Sequence, residues 1–313
     1  MFEPINFCDG VYWSPDGVKR KADGLAVRMT GFCDNSCDFC IASEDMLNKR
    51  PMHVEKMIEG VKESGATSLQ VLGGEPLLFL DNCIQFVEGV REQINFMFFT
   101  TSIPYTLVTH WEKFEKLMEI NDALSVSIQS TDWRTNNILL NAKKDFDRIS
   151  VLKKIVAQYG DRVTVVLNLV KGGVDSTEKF YEAMDDLYYF GVKRVRVNEL
   201  QHAPDQYVNF EEISGFDLGS PYAHGCKTVV KIYDDMHVLV KRSCFLVENS
   251  LMATEEDVLK LQEKINEPER FEWQQNNVIY EDGSLSDYWN EFRDDKPKSN
   301  TVNLGIPTIR RDK

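Results

Sequence analysis

The chain has 313 residues, with 36 Lys and Arg against 50 Asp and Glu, a formal net charge of −14. Charge of that sign repels polyanions and argues against a general duplex-binding protein, while 42% apolar residues exclude a chain that is disordered throughout. No apolar run approaches the ~18 residues of a membrane span, and the opening Met1-Phe2-Glu3-Pro4-Ile5-Asn6-Phe7 lacks the basic-then-apolar pattern of a secretory leader.

Residues 1–22 read as an N-terminal extension, and a first strand is expected over Leu25–Thr30. Within it Arg28 alternates with Val27 and Met29, facing either a wet barrel interior or a surface ion pair. The strand runs into Cys33-Asp34-Asn35-Ser36-Cys37-Asp38-Phe39-Cys40, three thiols spaced C-x-x-x-C-x-x-C. The 7 cysteines of the chain are too few for a disulfide scaffold, and with no leader the expected setting is a reducing, cytoplasmic one. There, clustered thiolates mean metal or catalysis, and soft thiolates select iron–sulfur clusters, zinc or copper(I). A closed zinc site wants a nearby fourth ligand, yet the next His is His53, beyond Pro51. Three thiolates on a four-iron cubane leave one iron to take a substrate or cofactor.

A helix is expected over Val54–Ser64 and a second strand over Ser68–Leu72, which leads into Gly73-Gly74-Glu75-Pro76. Paired glycines let backbone come close without a Cβ in the way, and carbonyls with a carboxylate suit an ammonium group. Further helices are expected at Leu80–Gln93, Thr109–Glu119, Asp145–Gln158 and Ser176–Tyr189, with Asp175 and Ser176 as caps to the last. They alternate with strands at Phe96–Thr101, Leu124–Gln129, Val163–Val170 and Val195–Val197. Such alternation predicts right-handed βαβ units on a parallel sheet, with chemistry at the carboxyl ends of the strands. Both motifs fall at such ends. Polar strand ends extend the candidate site: Thr100, Thr101, Ser102, Ser127, Gln129, Asn168, Asn198 and Glu199. Past residue 200 the alternation stops; Gln201–Ser220 reads as irregular, 227–241 as a hairpin around Asp234-Asp235-Met236-His237, and Asp257–Ile265 as a helix.

The cysteine spacing, with an aromatic residue (Phe39) before the third Cys, resembles the radical S-adenosylmethionine (SAM) superfamily, and Gly-Gly-Glu-Pro is the second motif of that resemblance. It implies an α/β fold, a partial (β/α)6 TIM-like barrel over residues 23–200, with a C-terminal β-hairpin and helix extension over 201–313 that covers the substrate site. It implies one [4Fe–4S] cluster on Cys33, Cys37 and Cys40, whose open iron chelates SAM. Gly73, Gly74, Glu75 and Pro76 are implied to bind the SAM amino group, and Ser127 and Asn168 resemble further SAM contacts. One electron, from a donor such as flavodoxin or ferredoxin, then cleaves SAM to methionine and a 5′-deoxyadenosyl radical that abstracts hydrogen from a substrate.

The substrate is less marked. Only 32 residues precede Cys33, too few for the winged helix of many peptide-modifying relatives, and no cobalamin segment or terminal run of cysteines is evident. Cys83 lies in the apolar stripe of its helix and reads as core; Cys226 and Cys244 flank the hairpin and read as two structural thiols rather than a second cluster, which only the distant Cys8 could join. Basic islands at 224–245 and 296–313 suit a phosphate, a nucleotide or one nucleic-acid strand, and also read as a solvated hairpin face and a frayed tail. The expectation is a radical SAM enzyme of isomerase or oxidoreductase type that drives a rearrangement or bond formation in a small or nucleotide-like substrate, with Glu199 and Tyr222 as candidate substrate contacts. The alternatives are a virus-type isomerase of amino-acid-modified thymidine in DNA hypermodification, a peptide or protein maturase, and a non-catalytic iron–sulfur redox sensor. DNA as a partner is disfavoured by the net charge, and no membrane association is expected.

Overall fold

The computed structural model describes residues 24–40, 51–200, 203–218, 227–243 and 278–286, together with the backbone of two short strands. Those two, β1 (Val11–Trp13) and β2 (Lys19–Lys21), pair antiparallel apart from the main sheet. Next come β3 (Gly24–Thr30), α1 (Val54–Ser64), β4 (Ser68–Gly73), α2 (Leu80–Val90), β5 (Phe96–Thr101), α3 (Thr106–Thr109) and α4 (Trp111–Ile120). They are followed by β6 (Ala123–Ile128), α5 (Trp133–Leu139), α6 (Arg148–Tyr159), β7 (Val163–Asn168), α7 (Thr177–Tyr189) and β8 (Arg194–Asn198). α8 (Phe210–Ser214), β9 (Lys227–Tyr233), β10 (Met236–Lys241), β11 (Val278–Ile279) and β12 (Leu285–Ser286) complete the described elements.

The main sheet has 10 strands in the order β12-β11-β3-β4-β5-β6-β7-β8-β10-β9. Every ladder from β11 to β10 is parallel, and only β12 and β9 are antiparallel edges. The six strands β3 to β8 lie in sequential order, as βαβ units stacked in one direction require. The edges β12 and β9 are not paired to each other, so the barrel is open. This is the parallel α/β sheet expected from the alternation, in the partial-barrel form that the resemblance implies.

Strand periodicity separates two faces. Leu25, Val27 and Met29, then Leu69 and Val71, Leu124 and Val126, Val163 and Val165, all join one apolar cluster with the helices. The helices meet it with their own stripes, such as Met57 and Val61 of α1 and Cys83, Phe86, Val87 and Val90 of α2. Cys83 is thus core, as expected, its thiol donating to the Pro76 carbonyl. By alternation Arg28, Thr30, Gln70, Thr100, Ser125, Ser127, Asn168, Arg196 and Asn198 belong to the opposite, concave face.

Several elements differ from the sequence reading. The helix expected at Thr109–Glu119 is α4, which starts two residues later because His110 (φ −136°, ψ 51°) leaves the helical region and separates it from the short α3. The break lets Leu107 on one side and Phe114, Leu117 and Met118 on the other reach the core. α5 and α8 fall where no helix was expected. The hairpin is present, but its turn is only Asp234-Asp235, and β10 pairs in parallel with β8, so the hairpin continues the main sheet. Arg28 faces the barrel interior, one of the two expected places, but the site is dry rather than wet: the side chain is buried (1% exposed) and paired with Glu281, Nε to Oε2 3.4 Å. Two charges of the hairpin island are matched within the fold, Lys231 by Asp234 and Arg242 by Glu211. Cys8, Cys226, Cys244, Tyr222, His224, the expected helix at Asp257–Ile265 and the tail from Lys296 lie outside the described residues.

Candidate active site

The two sequence motifs are built on adjacent parallel strands. The cysteine loop leaves β3 and the Gly73–Pro76 turn leaves β4. Main-chain bonds lock them together: Gly74 N donates to Thr30 O and Glu75 N to Phe32 O, each 2.7 Å. This contact explains the glycines. Gly73 has φ +146°, and a Cβ there would lie 2.4 Å from Thr30 O. A Cβ on Gly74 would lie 2.1 Å from Phe32 O. The close approach expected for a ligand is therefore made by the root of the cysteine loop itself.

Glu75 is 1% exposed and its carboxylate is turned into the protein. Oε1 accepts from Leu77 N and Thr101 Oγ1, and Oε2 from Ser102 N and Ser102 Oγ. Burial pushes its pKa up to about 7 in spite of these bonds. The side chain thus ties β4 to the end of β5, with four donors already on its two oxygens.

From Ser102 the network returns to the cysteine loop. Asn35, 3% exposed, donates from Nδ2 to Ser102 Oγ (2.8 Å), and its backbone N donates to Cys33 Sγ (3.4 Å). The segment after α5 clasps the loop from the other side. Ser36 N donates to Leu140 O, Lys143 N to Asp34 O, and Lys143 Nζ to Cys33 O. The Cys37 thiol donates to Leu140 O. Phe39 packs beside Val170 and Leu200, at the ends of β7 and β8. Beneath the loop lies Arg148, a residue no sequence signal singled out, fully buried at the start of α6.

Cys33, Cys37 and Cys40 are each half-buried. Burial, with the Glu75 carboxylate nearby, raises the Cys33 thiol far above its ordinary range. Burial and then the neighbouring Cys40 push Cys37 up to about 12. Ser127 and Asn168 sit on neighbouring strands of the concave face, and Asn168 Oδ1 accepts from Asn198 Nδ2 at 3.1 Å. Glu199 is drawn elsewhere: its buried carboxylate accepts from Phe210 N and Ser243 N and so braces α8 and the end of β10. A cavity of about 490 Å³ opens on the helix-side flank of the loop, between Asp34, Phe79, Tyr105 and Lys144, away from the concave face.

Strand-end loops of an open parallel barrel, one carrying three thiols and the next a buried Gly-Gly-Glu-Pro turn, define an enzyme of the radical SAM class. The Radical SAM superfamily model matches residues 27–187, about half of the chain, and the chain belongs to that family. It is 24% identical over 288 residues to a Methanocaldococcus jannaschii protein named, provisionally, as a glycyl-radical enzyme activating enzyme, covering 87% of this chain and 72% of that one. Among solved structures it is similar to Streptococcus suis SuiB bound to its precursor peptide SuiA (TM-score 0.51, 17% identity, 89% of this chain and 60% of that one). It is also similar to a radical SAM methyltransferase from Sphaerobacter thermophilus (TM-score 0.52, 18% identity, 75% of this chain and 69% of that one). The chain thus spans less than two thirds of SuiB. Among the described residues no helix is long and apolar enough to cross a membrane.

The family uses a [4Fe–4S] cluster and SAM, and these are this chain's cofactors. The residues present fit them. Half-buried thiols that raise one another's pKa are costly as thiolates alone, and a cationic iron centre reverses that cost by displacing their protons. Among the described residues no three His, Cys, Asp or Glu side chains converge on a single ion; a cluster does not need this, because each of its cysteines binds a separate iron. At the strand ends the buried acceptors Gln129 Oε1 and Asn198 Oδ1 have no hydrogen-bond partner, which suits a polar ligand on the concave face.

Proposed function

We propose that Cys33, Cys37 and Cys40 hold the cluster and that SAM lies over the concave face between the Gly73–Pro76 turn, Ser127 and Asn168. Bound together, the two cofactors supply a one-electron cleavage that yields methionine and a hydrogen-abstracting 5′-deoxyadenosyl radical. The chain's own residues bind, orient and shield. Glu75 fixes the ends of β4 and β5 through Thr101 and Ser102, and what the turn offers to an ammonium group is its main chain. The observation that carries this reading is the backbone lock between the cysteine loop and the glycine turn.

For the substrate, the provisional name of the M. jannaschii relative favours one reading: hydrogen abstraction from a glycyl α-carbon of a partner protein. A small or nucleotide-like substrate is favoured by the polar concave face, where Arg196 of β8 and Lys241 of β10 stand in a chain of net charge −14. DNA-directed isomerisation draws no support from the relatives. The electron comes from a low-potential carrier such as flavodoxin or ferredoxin, in the cytoplasm.

The test is anaerobic reconstitution with iron and sulfide, then incubation with SAM and dithionite. Release of 5′-deoxyadenosine and methionine in equal amounts is expected, abolished by alanine at any of the three cysteines. A colourless protein binding one zinc and no iron would overturn the reading. A glycyl-radical doublet in the electron paramagnetic resonance (EPR) spectrum of an added glycyl-radical protein supports the first substrate class. Mass changes in a nucleoside panel support the second.

A further inference from the structure

Arg148 makes one of the most fully occupied polar contacts of the fold, and it does so under the cysteine loop. Its side chain is 0% exposed. Nε donates to Ile103 O (3.1 Å), Nη1 to Asn137 Oδ1 (2.6 Å) and Lys144 O (3.2 Å), and Nη2 to Asn35 Oδ1 (3.3 Å). Nη2 also lies 3.9 Å from Asp34 Oδ2, and the guanidinium carbon stands 4.3 Å from the Phe146 ring centre. A buried cation is expensive unless it is paired and hydrogen-bonded. Here the partners come from four separate segments: the cysteine loop, the end of β5, α5 and the α5–α6 connection.

The partners are themselves constrained. Ile103, a β-branched residue, holds φ +60°, a left-handed conformation that costs roughly 1–2 kcal/mol. Asn137, inside α5, passes the contact on to Asp145 and Phe146 O through Nδ2. Desolvation of the half-buried Asp34 raises its carboxyl pKa, and the neighbouring Arg148 charge, with Nη2 3.9 Å from Oδ2, opposes that rise most strongly. Asn35 joins the guanidinium to Ser102 and, through Ser102, to Glu75. One fork-shaped cation therefore holds the cysteine loop directly and reaches the glycine turn through Asn35 and Ser102, and only a planar guanidinium offers donors in that many fixed directions.

We infer that Arg148 is a positioning residue for the cluster: it fixes the Cys33–Cys37 segment against the glycine turn before iron arrives and sets a permanent positive charge beside the cluster. This rests on the assignment of Cys33, Cys37 and Cys40 as ligands. Outer-shell partners of metal ligands tune both affinity and potential. A nearby positive charge stabilises the added electron, so its loss moves the potential to a more negative value.

The experiment compares full-length wild type, Arg148→Met, Arg148→Lys and Asn35→Ala after anaerobic reconstitution, with Arg134→Ala, an exposed cation of α5, as control. Iron and sulfide per chain, iron retention under a chelator, the EPR signature and the midpoint potential are read, with circular dichroism to report folding. Arg148→Met is expected to lose iron about 10-fold faster, with an altered EPR signature and a more negative potential. Arg148→Lys is expected to restore the potential more than the retention, because it keeps the charge and loses the fork. A folded Arg148→Met protein with wild-type EPR, potential and retention overturns the inference, even if its melting temperature falls. If that variant does not fold, Asn35→Ala decides: faster iron loss supports the connection, and wild-type retention overturns it. Failure of the ligand assignment looks different, since then the three cysteine-to-alanine variants would still load the cluster.

Discussion

At the scale of single residues, the glycine turn is a problem of contact rather than conformation. Gly74 needs no special φ, yet a Cβ would press into the Phe32 carbonyl at 2.1 Å, and that oxygen is already held by Glu75 N. Neither backbone can yield without breaking the lock between the two motifs. Gly65 contrasts with it: φ is +68°, but nothing lies within 4 Å of the place a Cβ would take. Gly74→Ala is therefore expected to destabilise by about 1–3 kcal/mol, the range of overpacked cores, and to abolish cluster loading. Gly65→Ala should cost about 1 kcal/mol and leave loading intact. Thermal melts with iron analysis distinguish them; normal loading of Gly74→Ala would show the lock to be dispensable. Glu75 teaches the same lesson, because a carboxylate that reads as a ligand group is already met by donors from Leu77, Thr101 and Ser102.

At the scale of elements, strands and amphipathic helices were legible wherever period and burial coincide. β5 and α1 fall where expected, and Ser176 caps α7 by accepting from Lys179 N. α5 was not legible because its inward face is polar: the residues it buries are Asn136 and Asn137, so no apolar stripe marks it. α8, with 5 residues, is too short to show a period. The cysteines and the glycine turn were legible as local spacing. Arg148 was not, because its contact with Asn35 joins positions 113 apart. α5 nevertheless carries both Asn137 and the chain that leads into Leu140, so its stability bears on the site. Its N-cap is Asp132, which accepts from Thr135 N at 2.8 Å. That hydrogen bond holds the Asp132 carboxyl below its ordinary range. A depressed folded-state pKa means stability that is present above the unfolded value and lost as pH falls through the folded one. Asp132→Ala should therefore cost about 1 kcal/mol at neutral pH, and the gap to wild type should close in acid, below the carboxyl's depressed pKa. Urea melts of the apo-protein across that range give the answer, and a gap independent of pH would remove the charge from the explanation.

At the scale of the whole molecule, the sheet gathers strands from far apart in the chain. β10 lengthens it beside β8, and β11 adds in parallel to β3 through Val278↔Ala26 and Ile279↔Val27. A two-residue strand gives no periodic signal, so its place is set by tertiary contacts. Those contacts centre on Glu281: its carboxylate faces Arg28, its carbonyl accepts from His53 N, and the Arg28 guanidinium lies 5.6 Å from the Tyr280 ring centre. The two side chains of the pair are 2% and 1% exposed, so neither charge is solvated by bulk water. Removing one partner of such a buried ion pair costs about 3–5 kcal/mol, whereas replacing both by apolar groups of similar volume is often nearly neutral. Glu281→Leu alone should then lower the urea midpoint sharply and expose the 278–286 segment to protease, while Arg28→Met with Glu281→Leu should recover most of the loss. If the double variant were as unstable as the single one, the edge would be held by the specific geometry of the ion pair rather than by the need to neutralise a buried guanidinium beside the first strand.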